Sequence, residues 1–481
     1  MNSLTSTLLA LSLAGTAGAA DYYLSQDGDD RRDGTAPERS WRSLERVPVA
    51  GLKPGDRVLL RGGDRFLGSL QVTVSGEAQR PITIASWGTG QAMILPPPGS
   101  NGLTITDAGN LVVRDLLIAG PGADAAVKGT GVYLHAAKAR SAGIVLRNLT
   151  CSDFPVRGIE LWSDGSAAGF DDVLVERVVC HGSGEGGMGS WDSTAPGIYA
   201  FRRIVVRDSL FHGNRGRPAK RDNHSGNGII LGGCQDALIE RCAAWGNGDL
   251  CNSTVGGPVG IWLCESDRST IRACVSFRNR TGIGVPDGGG FDLDGGCTNC
   301  VIDDCLSWRN DGAGYLVYQY KGARPLRGNI IRNCFSIGDG RTRNNGGIYI
   351  GADPPGDVHQ LLVERCTVVM DPADSKPAAV HFTGPVDAFR FERNLFISLG
   401  GADLLNDAVH PGTTYAGNRW VALGGEAVFR NGSAPAGDSV GDSGLRLDPV
   451  LPVAVDVAWL ARLVIPGVGA VPIPRYGPAA Y

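Results

Sequence analysis

Asp292 and Asp294 stand two positions apart in the segment GGGFDLDGG, with Trp262 upstream and Tyr318 and Tyr349 downstream in segments of similar pattern. On an extended strand such a pair shares one face with its backbones ~6.6 Å apart, at ~3.3 Å per residue. That separation overlaps the ~6.5 to 9.5 Å between the acid and the base of an inverting glycosidase, where a water must fit. One carboxyl would protonate the leaving oxygen and the other would activate water, while Trp262 and Tyr318 stacked on sugar rings. A competing chemistry uses the same carboxylates to hold Ca²⁺, which neutralises a uronate and acidifies the neighbouring carbon for removal of its proton. Lys321 is then the candidate base, with Arg324 or Arg268 as charge stabiliser. Asp292, Asp294, Glu265 and Asp311 would supply oxygens toward the ~6 to 8 that calcium takes. His224, Arg324 and Tyr349 complete the candidate substrate-binding set, with His224 in the long 215–227 insertion leaning over the site. Asp222, Asp267, Gln319 and Asp353 lie at nearby loop ends, and His381 falls three coils on, ~14 Å away, where it suits a distal subsite. Isolated charged residues are commonly a solvated surface. Here it is the clustering of carboxylates with aromatic rings that argues for a site.

The elements that must carry these residues are strands. GIELW at 158, GIILG at 228, GIWLC at 260, GFDLD at 290, GYLVY at 314 and GIYIG at 347 share an alternating pattern. Alternation turns Ile261 and Leu263, Phe291 and Leu293, Tyr315 and Val317 to the interior, and leaves their neighbours to face water. The leading glycine of each segment fits a corner that needs a positive φ or close packing of the chain.

Another pattern recurs between these segments: VLRNLTC at 145, LVERVVC at 174, VVRDSLF at 205, LIERCAA at 238, TIRACVS at 270, VIDDCLS at 301, IIRNCFS at 330 and LVERCTV at 362, with related runs at 112 and 390. Their spacing of 28 to 33 residues matches one coil of a β-solenoid. Equivalent residues of successive coils should stack ~4.8 Å apart, so alignment columns become physical columns. The fifth position carries Cys242, Cys274, Cys305, Cys334 and Cys366, and slightly further on Asn214, Asn247, Asn279 and Asn310 fall in register. Stacked amides bond to one another at a bend. Side-by-side parallel strands hold Cβ atoms too far apart for disulfides, so the cysteines read as small buried hydrophobes. Cys297 and Cys300 form a lone CxxC, too little for a zinc site.

A solenoid grows by adding coils and can use most of 481 residues as one body. The formal net charge of −4, with mixed signs and no basic stripe, argues against nucleic acid as a partner. Residues 1–20 have the apolar centre and small terminal residues of a secretory signal peptide, and no later stretch is apolar enough to span a membrane. The expected location is secreted or cell-surface, periplasmic or extracellular. Residues 21–80 read as an amino-terminal capping module with a short helix near Trp41–Arg46, residues 81–400 as about ten coils, and 401–481 as a closing segment.

The entry segment YYLSQDGDD through DGTAPERSWRSL, with LKPGDRVLLRGGDRF and RPITIASWGTG, resembles secreted right-handed parallel β-helix proteins of the pectate-lyase-like superfamily. GGGFDLDGG followed by NDGAGYLVYQY is similar to a motif of that group. The resemblance spans roughly residues 21–400. It implies an all-β, right-handed solenoid, with polysaccharide lyases and hydrolases, adhesins and phage tail proteins among its members. The leading expectation is therefore a secreted, monomeric enzyme that cleaves a polysaccharide by lyase or hydrolase chemistry around Asp292 and Asp294. The alternative is a non-catalytic cell-surface or carbohydrate-binding protein using the same face.

Overall fold

The structure is a computed structural model. It describes residues 18–471 except positions 50, 166, 193–197, 343–344, 357, 373–374, 407–411, 431–432, 442–444, 446–456 and 464–467. The expected signal peptide lies outside the described residues but for its last three positions.

The repeats become rungs of a parallel β-helix. First halves stack in register, Leu238–Glu240 on Thr270–Arg272, Val301–Asp303, Ile330–Arg332 and Leu362–Glu364. Second halves do the same, Ala243–Trp245 on Val275–Phe277 and Leu306–Trp308. Between the halves the fourth repeat position is left-handed in coil after coil: Asp208 (φ 52°), Arg241 (50°), Ala273 (51°), Asp304 (51°) and Asn333 (55°). A single αL residue turns the chain from one face to the next. Because Asp, Arg, Ala and Asn all occupy it, composition does not reveal this corner.

The asparagine column is a continuous ladder in a fully buried bend. Nδ2 of Asn214, Asn247 and Asn279 donates to Oδ1 of Asn247, Asn279 and Asn310 at 3.0, 2.9 and 3.0 Å. The ladder runs one rung further than the sequence reading, since Asn310 donates to Asp339 Oδ1 at 2.9 Å. A second ladder, Asn394 to Asn418 to Asp438, closes the far end. Outside, the third repeat position alternates in sign, so that Arg147, Glu176 and Arg207, then Glu240 and Arg272, then Asp303 and Arg332, form ion pairs between rungs. All twelve cysteines are free and buried, as the geometry of adjacent rungs requires.

The glycines that open the second strand column are there for close packing. A Cβ on Gly260 would lie 2.0 Å from Ser276 Oγ and 2.6 Å from Asn279 Nδ2, and one on Gly290 would lie 2.2 Å from Ser307 Oγ. Of the two reasons anticipated, the crowding against the ladder is the one that applies.

The stack is longer than expected at both ends. Asp21–Leu24 pairs with Arg57–Arg61, which pairs with Ile82–Trp87, so the entry segment already belongs to the sheet. The expected helix near Trp41–Arg46 is corrected: Trp41 makes an isolated bridge to Leu24 and stacks on Tyr22 at 5.1 Å, and the helix is Arg46–Val49. The Trp41 side chain, with Leu44 and the helix residue Val47, is buried in the core at this end. Past residue 400, Arg419–Leu423 pairs with Leu395–Leu399, and the short Val457–Ala461 helix places Leu460 over an apolar stripe that includes Leu306, Phe335 and Val421.

Thirteen strands form the sheet that matters here. It includes Val132–Ala136, Arg157–Ser163, Gly186–Asp192, Asn227–Gly232, Val259–Cys264, Gly289–Asp294, Tyr315–Gln319, Gly346–Ala352 and Ala378–Thr383 in parallel order. Phe291, Leu293, Tyr315 and Val317 point inward and are buried, as alternation requires. The outward neighbours do not face water as expected. Ile230, Trp262, Asp292 and Leu316 are all under 5% exposed, because loops fold over them.

Candidate active site

Residue register draws two outward columns along this sheet. One runs Tyr133, Glu160, Gly189, Ile230, Trp262, Asp292, Leu316, Tyr349, His381. The other pairs Trp162 with Trp191, then Gly232 with Cys264, then Asp294 with Tyr318. Loop residues 222–224, 255–257 and 286–287 rise over the middle rungs and, with Tyr320, Lys321, Asn345 and Asp353, enclose a cavity of about 760 Å³. Its floor is Trp262, Asp292, Asp294, Leu316, Tyr318 and Tyr349.

The structure thus brings together Asp292, Asp294, Lys321, Trp262, Tyr318, Tyr349 and His224 from the sequence-derived set. It does not bring in Arg324, Glu265, Arg268 or Asp311. Arg324 is bound to Glu265 through both its guanidinium Nε and Nη2, the latter 2.6 Å from the backbone oxygen, and lies over the Tyr199 ring. Arg268 pairs with Asp236 and Asp267 on another face. Asp311 accepts from Arg280 Nη1 at 3.0 Å and from Thr281 N at 3.2 Å. His381 is buried against Tyr349 and accepts from Asn406 at Nδ1. The four oxygen donors nominated for calcium therefore do not converge. Among the described residues no group of three or more His, Cys, Asp or Glu side chains is arranged to hold a metal ion. These residues do not fit a resident calcium.

Trp191, Asp287 and Tyr320 line the cavity and were not found by sequence reasoning. Trp191 lies on Gly186–Asp192, a strand absent from the alternating segments picked out in the sequence; its inward residues are Met188 and Ser190, so the apolar alternation that marks the other rungs is missing. Asp287 sits at φ 59° on the loop and accepts from Gly257 N at 2.8 Å, so only the fold shows that it faces the strand carboxyls. Asp353 was noted as a neighbour, yet its role as acceptor for Tyr318 OH at 2.7 Å and for Lys321 N at 3.0 Å depends on rung register. Tyr320, whose hydroxyl donates to Glu265, completes the rim.

Electrostatics follow from burial of like charges. Asp292 is 2% exposed and its Oδ1 has no hydrogen-bond partner among the described residues. Burial, followed by the charges of Asp294 and Asp287, holds its carboxyl well above the usual carboxylate range. Asp294 is pushed up to about 7, chiefly by burial, with a backbone bond from Gly295 working in the opposite sense. Trp262 Nε1 and Trp191 Nε1 are buried and also lack partners among the described residues. A buried polar atom left unpaired costs roughly 1–3 kcal/mol. Asp292 Oδ1, Trp262 Nε1 and Trp191 Nε1 are three such atoms on residues that line one cavity.

A family model described as "Right handed beta helix region" matches residues 130–336. The protein is a right-handed parallel β-helix. Among solved structures, a GH136 lacto-N-biosidase from Eubacterium ramulus is similar at 18% identity and a TM-score of 0.55, over 76% of this chain and 65% of that one. The chain thus spans less than two thirds of that enzyme's length. Pectate lyase Pel9A (14% identity, TM-score 0.43, 84% and 79% of the two chains) and a rhamnogalacturonan lyase (15%, 0.40, 96% and 96%) are matched at lower TM-scores. At 18% identity the lacto-N-biosidase and this chain share a fold, and function rests on the site. No curated protein matches the sequence. No helix among the described residues is long and apolar enough to cross a membrane.

Proposed function

We propose that this β-helix is a glycoside hydrolase acting on a neutral glycan, with Asp292 as general acid and Asp294 as general base. The observation that carries the reading is the buried Asp292 carboxyl, unpartnered at Oδ1 among the described residues, on a cavity floor beside Asp294 and between Trp262 and Leu316. A carboxyl kept protonated at neutral pH is suited to give its proton to a leaving oxygen. Asp294, whose pKa of about 7 leaves it partly ionised there, accepts a proton from water on the opposite side of the bond. The ~6.6 Å between their backbones leaves room for that water and favours inversion. Tyr318 and Tyr349, each half-buried, offer apolar ring surface to sugar faces.

The elimination alternative finds less support. Asp222, Asp287 and Asp353, with the partly ionised Asp294, line the cavity against Lys321, the one lysine or arginine among the described lining residues, and this field opposes a polyuronate. Lys321 is exposed at the rim, without the burial that activates a lysine base. The decisive experiment is incubation with panels of neutral and uronic oligosaccharides, monitoring reducing ends and ultraviolet absorbance. New reducing ends without an unsaturated product are expected from a neutral glycan. An absorbing product from a uronate would establish elimination, and binding without any product would establish a carbohydrate-binding role.

A further inference from the structure

A second cavity of about 590 Å³ adjoins the first on its amino-terminal side, lined by Tyr133, Glu160, Trp162, Arg157, Glu185 and Lys220 among others. Trp191, Asn223 and His224 belong to both walls, so the two hollows meet at these three residues. Along the strand register the floor runs from Tyr133 to Tyr349, seven rung steps or ~34 Å at ~4.8 Å each.

The chemistry of the second cavity is that of paired charges with polar atoms left over. Arg157, 5% exposed, bonds Glu160 at 2.5 Å and reaches Glu185 at 3.7 Å, while Lys220 holds Glu185 at 2.7 Å. Arg157 Nε and Trp191 Nε1 are buried donors without partners, and Asp192 Oδ2 is a buried acceptor without one, among the described residues. A hydroxyl, which both donates and accepts, suits either kind of orphan. At the junction the His224 tautomer is assigned by its neighbour. Asn227 Oδ1 accepts from Val259 N at 3.1 Å, so its Nδ2 faces His224 Nδ1 at 3.0 Å and must donate to it. Nδ1 is thus an acceptor, and Nε2 carries the proton of the neutral ring. Burial and the charges of Arg157 and Lys220 hold that ring neutral, with a pKa lowered to about 3. Gly189 shapes the same region: a Cβ there would lie 2.7 Å from Arg157 Nε and 3.3 Å from Trp191 Nε1.

We propose that the two cavities are halves of one groove for a neutral oligosaccharide, in which the amino-terminal half binds uncleaved sugar units through Arg157, Trp191 and Asp192, and His224 spans the junction as a hydrogen-bond donor. This rests on the hydrolase reading above, but its test separates the two. Affinities of the Asp292→Asn chain for neutral oligosaccharides of two to eight units, with uronate oligomers of equal length as the second arm, are measured by calorimetry. Affinity is expected to rise by about tenfold or more with length, a gain of ~1.4 kcal/mol, for the neutral series alone. Gly189→Ala, which crowds Arg157 without requiring a new backbone conformation, is expected to remove most of that gain while leaving the melting temperature within a few degrees. Trp162→Ala provides an independent probe, through loss of long-chain affinity, should Gly189→Ala perturb folding. Cleavage of short neutral substrates with affinity independent of length overturns the two-cavity groove and leaves the hydrolase standing. Tighter binding of uronates overturns the neutral class, and absence of binding and cleavage across the neutral series overturns both.

Discussion

At the scale of single residues, the carboxyl pair is the part of the molecule whose behaviour is most sharply determined by its surroundings. Removing the proton donor or the base of such a pair costs roughly 10²- to 10⁴-fold in rate. Asp292→Asn and Asp294→Asn are each expected to lower kcat by that amount with an unchanged circular dichroism spectrum, as steady-state assays on the cleaved glycan would show. Because the two groups interact, the pH profile reports the pair: activity rises with the first deprotonation, near 7, and falls when the second proton leaves at higher pH. A profile already declining between pH 5 and 7 would contradict this assignment. A second buried acid makes a separate point. Asp339, at the end of the asparagine ladder and fully buried, is raised to about 6 by burial. Folded, Asp339 and Asp294 bind protons more tightly than in the unfolded chain, so their contribution to stability is full below about pH 4 and is lost as pH climbs through about 6 and 7. Asp339→Asn keeps the acceptor for Asn310 and gives Ser336 a donor, as Asn310 gives Ser307. It should raise stability at pH 8 by roughly 1–3 kcal/mol and flatten that decline, measured by denaturant melts across pH.

At the scale of elements, the bend of each coil is held by side-chain amides that bond one another and the backbone of neighbouring rungs. Asn279 takes a bond from Asn247 and gives bonds to Asn310 and Ser276. Asn279→Ala leaves the Asn247 backbone N–H without its acceptor, while Asn247 Nδ2 keeps Phe211 O and Asn310 Oδ1 keeps the Asn279 N–H, and is expected to cost about 1–3 kcal/mol. Gly290→Ala acts on the same bend by crowding Ser307 and Asn310, at about 1–3 kcal/mol. These columns were legible in the sequence because each coil repeats the same side chain at the same place. The αL corner after the third repeat position was not, since backbone geometry there accepts Asp, Asn, Arg and Ala alike. The Gly186–Asp192 rung was hidden for a related reason: Ser190 occupies an inward position where alternation looks for a hydrophobe.

At the scale of the whole molecule, a solenoid couples each coil to its neighbours alone, so damage should stay local. In the Asn279→Ala chain, amide hydrogen exchange is expected to quicken in the coils around residues 247 and 310 and to remain at wild-type rates near Leu146 and Val175. Uniform acceleration along the chain would instead mean that the stack melts as one unit. The carboxyl-terminal cover is a further whole-chain feature. Leu460 is fully buried against the outer stripe, and Leu460→Ala is expected to cost about 2–5 kcal/mol, measured by thermal denaturation.

What this sequence determined by itself is everything that repeats: the stack, the inward columns, the cysteines as buried thiols, the asparagine ladder and the outward placement of Asp292 and Asp294 on one strand. Periodicity carries that information because every rung obeys the same packing rule. The tertiary structure alone decided what surrounds the pair. Loops that repeat nowhere brought Asp222, His224 and Asp287 over the strands, turned an expected wet face into a cavity, and left Glu265, Arg324 and Asp311 bound elsewhere. Such contacts join positions far apart in the chain and obey no period, so only the folded molecule could show them.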